Sequence, residues 1–123
     1  MNERKRERTA CFFAERIEAC QTQARLLRAD GREDEAVFAK VQANVYDIFK
    51  TVFTTAINTS GQEDEKAVQF FLARLRQIPQ NWYTALSSAE QHGEHEKAHI
   101  ERIKLDTVEA IKAEFERIWE ETT

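Results

Sequence analysis

Residues 33–58 contain no helix-breaking residue and read EDEAVFAKVQANVYDIFKTVFTTAIN. Its large apolar side chains recur at steps of three and four residues, the spacing of an amphipathic helix. We therefore predict one helix over 33–58, more deeply buried than the rest of the chain. Its predicted core stripe consists of Val37, Phe38, Val41, Val45, Ile48, Phe49, Val52 and Ala56.

The only three glycines of the chain, Gly31, Gly61 and Gly93, divide it into four segments of similar length. Two interpretations of the first two glycines remain open. Asp30 and Ser60 each lie three residues before a glutamate, the pattern of a capping box that starts a helix. Each glycine is equally suited to end the preceding helix, because it adopts the left-handed backbone conformation without strain.

Proline occurs once, at Pro79, inside the third of these segments. A proline in a helix interior costs about 3 kcal/mol and kinks or breaks the helix. The apolar face nevertheless keeps its phase across the proline, from Leu75 and Ile78 to Trp82 and Leu86. We predict a single domain over residues 1–123, with helices at about 3–29, 33–58, 62–91 (with a break near residue 79) and 94–121.

Four amphipathic helices joined by short turns most simply form an all-α, antiparallel, up-down-up-down four-helix bundle. In this topology the first and the last helix are neighbours. The alternative is a short helical-repeat solenoid, since the spacing from Gly31 to Ala36 and from Gly93 to Ala98 resembles that of tetratricopeptide repeats. The unbroken segment 33–58 favours the bundle, because that repeat needs two short helices per unit.

Charge and cysteine content restrict the classes of partner and the compartment. The net charge of -4 provides no positive field for nucleic acid or anionic lipid, so we expect neither as a partner. No segment approaches the roughly 20 apolar residues of a membrane span, and residues 1–8 lack the apolar core of a signal peptide. Cys11 and Cys20 lie about 13 Å apart on one predicted helix, too far for a disulfide. Two free thiols predict a cytoplasmic protein.

One short motif suggests metal chemistry. His95-Glu96-Lys97-Ala98-His99 matches the His-Glu-x-x-His pattern of zincin metalloproteases, a resemblance that implies zinc on His95 and His99 and a water-activating role for Glu96. On a helical wheel, however, His95 lies about 165° and His99 about 125° from the centre of the apolar arc. We therefore predict that both histidines face solvent.

The same segment also resembles half of a di-iron site in ferritin-like bundles, in which a Glu-x-x-His pair on each of two helices holds the metals. Glu96 and His99 supply one such pair, but all three histidines lie within residues 92–99, so no second helix completes the site. We predict no cofactor. A small metal-binding protein that uses His95, Glu96 and His99 remains the alternative hypothesis.

The leading functional hypothesis comes from apolar residues that lie outside the predicted core stripe. Phe53 and Ile57 lie about 90° and 130° from the centre of that stripe in residues 33–58, and Tyr46 also falls outside it. We predict that these three residues form an exposed interface; the alternative is a broad core, in which this inner helix is buried on two sides. The sequence thus predicts a non-enzymatic helical module that acts by protein contact, including homodimer formation, with no small-molecule ligand evident.

Overall fold

A computed structural model describes residues 2–61 and 63–120 of the chain, and these residues form helices joined by short turns, without a strand. The helices are α1 (Glu3–Ala29), α2 (Glu33–Thr59), α3 (Asp64–Gln77), α4 (Gln80–Gln91) and α5 (His95–Glu120). The predicted all-α bundle is confirmed, with α3 and α4 as the two halves of the predicted third helix. Gln62 and Glu121, where predicted helices begin and end, lie outside the described residues.

Two of the glycines end helices. After α1, the amide of Arg32 donates to the carbonyl of Leu27 at 2.8 Å, and the amide of Gly31 donates to that of Arg28 at 3.1 Å. This is the Schellman pattern, and it requires the left-handed φ of 75° that Gly31 adopts. The turn after α4 repeats it, with Gly93 at a φ of 67°. Of the two interpretations left open, the helix-ending one is right.

The capping-box interpretation is wrong. Asp30 and Ser60 are the C-cap residues of α1 and α2, so their side chains are not placed at the start of the next helix. The N-cap positions of α2 and α3 are instead occupied by Arg32 and Glu63, and neither side chain makes a capping hydrogen bond. The acidic first turns of both helices still complement the positive end of the helix dipole.

The predicted break at Pro79 is confirmed, because α3 ends at Gln77 and α4 begins at Gln80. Pro79 is the N-cap of α4, with a ψ of -6° that departs from the helical value. Before the break, α3 packs against α2; after it, α4 packs against α5 rather than along α2. The N-terminal half of α2 therefore has helix neighbours in α1 and α5 but is not covered by α4.

The core is densest where α1, α2, α3 and α5 meet. The rings of Phe71 and Phe115 stack with centroids 4.2 Å apart, and Phe53 meets them edge-on at 6.0 and 6.3 Å. Phe13 of α1 contacts both Phe53 and Phe71. Each buried phenylalanine contributes about 1.5–3 kcal/mol. This aromatic cluster therefore holds the four helices together.

Helix α2 occupies the centre of the bundle. It packs against α1, α3 and α5, which agrees with the prediction that this helix is the most buried. Phe38 contacts His99, and Phe53 contacts Phe115, so α2 and α5 run side by side in the same direction. The predicted proximity of the first and last helices is also confirmed, because Trp119 of α5 donates a hydrogen bond to Thr9 of α1.

Candidate functional site

The histidines of the zincin-like motif lie on the surface at the start of α5. His95, Glu96 and His99 are all exposed, as predicted for the two histidines. His95 is the first residue of α5, while the ring of His99 packs edge-on against Phe38 with centroids 4.5 Å apart. Lys97 forms an ion pair at 3.2 Å with Glu94, so it neutralises one of the nearby carboxylates. The motif is on an open helix face and not in a cleft.

A third metal ligand is not brought to these histidines by the part of the chain that the structure describes. No group of three or more His, Cys, Asp or Glu side chains with the geometry to hold a metal occurs among residues 2–61 and 63–120. His92 is turned back on its own helix, where its Nδ1 donates to the carbonyl of Ser88 at 2.7 Å. The arrangement therefore leaves His95 and His99 as a two-residue surface pair.

The expected exposure of Phe53 and Tyr46 is wrong. Phe53 is 6% exposed within the aromatic cluster, and Tyr46 is 5% exposed. Tyr46 faces α1, where Phe12 meets its ring edge-on at 5.9 Å and the guanidinium of Arg16 lies 5.6 Å from the ring centroid. Ile57 is partly buried against the core. Phe53 and Tyr46 are thus part of the core and Ile57 packs against it, which agrees with the alternative of a broad core and leaves no exposed apolar patch of these three residues.

The reason is that α2 has more than one buried side. Ala36, Ala39 and Ala43 are between 0 and 4% exposed, and they share the α1-facing side of the helix with Tyr46. Small side chains let neighbouring helices approach closely, which extends the buried arc well beyond the stripe of large residues. The Ala36-x-x-Ala39-x-x-x-Ala43 spacing was the sequence signal that could have revealed this second side.

The opposite error concerns the predicted core stripe of α2. Val37 is 43% exposed and Ile48 is 39% exposed, although both belong to the predicted core stripe. Val41, between them, is only partly buried. The exposed residues Lys40, Asn44 and Asp47 lie on the same side of the helix. We refer to this surface as the α2 face; it comprises Val37, Lys40, Val41, Asn44, Asp47 and Ile48.

The two cysteines are free thiols, as their spacing predicts. Cys11 is an exposed free thiol, and Cys20 is a buried one. Burial raises the pKa of the Cys20 thiol, opposed in part by the nearby positive charge of Arg16. Hydrogen bonding to Tyr46 in turn raises the pKa of Arg16. Because the Cys20 thiol is both buried and shifted towards its protonated form, it is suited to packing and not to nucleophilic attack.

A surface cleft of about 340 Å³ lies where the bend at Pro79 meets α5. Its apolar floor includes Leu75, Pro79 and Val108, which are buried, and the half-exposed ring of Tyr83 borders it. Lys112 and Glu109 lie on its α5 side. Neither cysteine and none of the histidines lines this cleft, so it does not combine with the zincin-like motif into one site.

Comparisons with protein-family models, with curated proteins and with solved structures found no match to this chain. None of the helices in the described residues is long and apolar enough to cross a membrane.

Proposed function

We propose that this protein is a non-enzymatic helical module that acts by protein contact, and that it self-associates through the α2 face. The observation that carries the proposal is the exposure of Val37 and Ile48 on one side of a helix that is otherwise the centre of the core. Apolar side chains grouped on an accessible helix face are typical of interaction sites.

The bend at Pro79 supports this choice of surface. Helix α3 packs against the C-terminal half of α2, where Phe71 contacts Phe49 and Phe53, and a straight continuation of α3 would run on along the N-terminal half. Instead α4 packs against α5, and that half of α2 keeps an uncovered side. Leu26 and Tyr83 are also exposed apolar residues, at 67% and 50%, but each lies alone on its helix. Among the described residues, the α2 face carries two of the four exposed large apolar side chains, Val37 and Ile48, on one side of one helix.

We place this function in the cytoplasm. The free thiols of Cys11 and Cys20 support that placement, since exposed thiols persist in reducing compartments.

The test is sedimentation velocity of the wild type, of Ile48→Lys and of the control Tyr83→Lys between about 5 and about 500 µM, because self-association depends on concentration. We expect the wild type to shift from the 14.4 kDa monomer towards twice that mass. Ile48→Lys should remain monomeric, because it places a charge in the proposed interface. Tyr83→Lys changes a more exposed apolar residue outside the α2 face and should associate like the wild type.

A wild type that stays monomeric over this range contradicts self-association. A dimer that Ile48→Lys leaves intact, with circular dichroism showing that the variant is folded, contradicts the α2 face as its location.

A further inference from the structure

The α2 face carries a pair of opposite charges in a specific arrangement. Lys40 and Asp47 are both exposed, and neither forms an ion pair within the described residues. They are seven residues apart, which places them about 20° from each other around the helix and about 10.5 Å apart along it. Both charges therefore lie on the same edge of the face, on either side of Asn44.

This arrangement is complementary to itself under a two-fold rotation. The two-fold axis lies between the two α2 helices, perpendicular to both, at the level of residues 43 and 44. Rotation about it makes the helices antiparallel and brings each edge of the face against the same edge of the partner's face. Lys40 then lies opposite the partner's Asp47, and Asp47 lies opposite the partner's Lys40. We infer that the occupant of the α2 face is a second copy of this chain, with the two α2 helices antiparallel about this axis.

The apolar residues fit the same register. Ile48 of one copy lies opposite a point midway between the partner's Val37 and the partner's Val41, so its side chain enters the gap between them. This is the knob-into-hole contact of paired helices. Asn44 lies almost on the axis, opposite the partner's Asn44, where each amide can donate to the other's carbonyl oxygen. A single asparagine in such a position fixes the register of paired helices.

A parallel pairing lacks these contacts, because it places Lys40 against the partner's Lys40 and Asp47 against the partner's Asp47. Like charges in contact oppose association. The α2 face is one side of a single helix in each copy, a small surface beside the roughly 1,200 Å² of stable interfaces, so we expect a weak dimer whose population depends on concentration. This inference rests on the proposed self-association and adds its symmetry, its direction and its register.

Charge reversal tests the pairing. Lys40→Glu alone and Asp47→Lys alone each place like charges opposite one another and should weaken dimerisation at least about tenfold. The double variant, Lys40→Glu with Asp47→Lys, restores both opposite pairs and should return the dissociation constant to within about threefold of the wild type. Both substituted positions, Lys40 and Asp47, are exposed, so circular dichroism should show folded protein for all three variants.

Disulfide trapping gives a second, independent readout of direction. In a background of Cys11→Ser, which removes the exposed native thiol, Asn44→Cys places two thiols across the axis and should cross-link under mild oxidation. Val37→Cys is the matched control, because its two copies are about 20 Å apart along an antiparallel pair. That separation exceeds the roughly 7 Å between α-carbons that a disulfide spans.

The outcomes separate the inference from the proposed function. If the wild type dimerises and Ile48→Lys does not, but the double charge reversal fails to restore dimerisation, the antiparallel register is wrong and self-association stands. Cross-linking of Val37→Cys as fast as Asn44→Cys likewise overturns the antiparallel direction, since a parallel pair brings both positions together. A wild type that is monomeric throughout overturns the proposed function and this inference with it.

Discussion

The indole Nε1 of Trp119 in α5 donates a hydrogen bond of 3.0 Å to Oγ1 of Thr9 in α1. The Thr9 hydroxyl in turn donates to the carbonyl of Lys5 at 2.8 Å, and Lys5 Nζ donates to the carbonyl of Trp119 at 3.1 Å. The first and last helices are thus linked in both directions. Thr9 is only 1% exposed, so its hydroxyl has no solvent to replace a lost partner.

Thr9→Val should therefore lower the free energy of unfolding by about 1–3 kcal/mol, because it leaves the indole N–H of Trp119 without its acceptor. Urea denaturation measures this change. Thr84→Val is the matched control, since the exposed hydroxyl of Thr84 donates only to Gln80 of its own helix. It should change the free energy of unfolding by less than about 0.5 kcal/mol. Equal losses in the two variants would contradict the role of the Thr9–Trp119 contact.

The stacked rings of Phe71 and Phe115 lie at the centre of the core, so truncating one of them should destabilise the fold strongly. Phe71 is fully buried, and Phe71→Ala should lower the free energy of unfolding by about 3–5 kcal/mol, because the cavity it leaves lies among rings that cannot all move to fill it. The adjacent Phe70 is only partly buried and packs against Arg74 on the surface. Phe70→Ala should lower the free energy of unfolding by clearly less than Phe71→Ala does. Thermal and chemical denaturation measure both, and a larger loss for Phe70→Ala would place the core elsewhere.

The buried thiol of Cys20 predicts a dependence of stability on alkaline pH. Burial raises its pKa in the folded state, so the unfolded chain loses this proton first as the pH rises. The protonated Cys20 thiol contributes its full share of the folding free energy below the ordinary thiol pKa of 9.0. That contribution is lost as the pH rises through the higher pKa of the folded state. The free energy of unfolding of the wild type should therefore fall more steeply above pH 9.0 than that of Cys20→Ala. Parallel pH profiles of the two proteins would contradict this.

The surface position of the motif histidines predicts a small effect of removing them. Changing His95 and His99 together to Ala should alter the free energy of unfolding by less than about 1 kcal/mol, as at other surface positions. His99→Ala should account for most of the change, because the ring of His99 contacts Phe38. Untagged protein, dialysed and analysed for zinc, should hold no stoichiometric metal. One equivalent of metal, or a loss of several kcal/mol, would show that these histidines are structural ligands.

The local architecture follows from the sequence to a large extent. Glycine at positions 31 and 93 ends helices because it alone adopts their positive φ freely, and Pro79 divides a helix because its nitrogen has no hydrogen to donate. The sequence did not predict which side of α2 faces the core. The helical wheel places large residues such as Val37 and Ile48 in the core stripe, whereas both are exposed and the small residues Ala39 and Ala43 are buried.

The difference between the predicted and the observed buried side of α2 also limits how well exposed apolar residues can be predicted from the sequence. Helical periodicity identifies an apolar arc, but which part of the arc other helices cover depends on packing between segments distant in sequence. The burial of Phe53 depends on Phe71 and Phe115, and the exposure of Val37 accompanies the packing of α4 against α5. Neither relationship is encoded in the local spacing of α2, so the sequence predicted exposure for residues that the fold buries.

The measurement that tests the central claim most directly is the methyl NMR spectrum of the protein at about 5 and about 500 µM, because a weak dimer changes its population across that range. If the protein self-associates through the α2 face, the methyl resonances of Val37, Val41 and Ile48 should shift with concentration. The methyl resonances of the exposed Leu26 and the buried Ile111 should stay in place. Shifts confined to Leu26 or to residues around the Pro79 cleft, or no shifts at all, would contradict the claim.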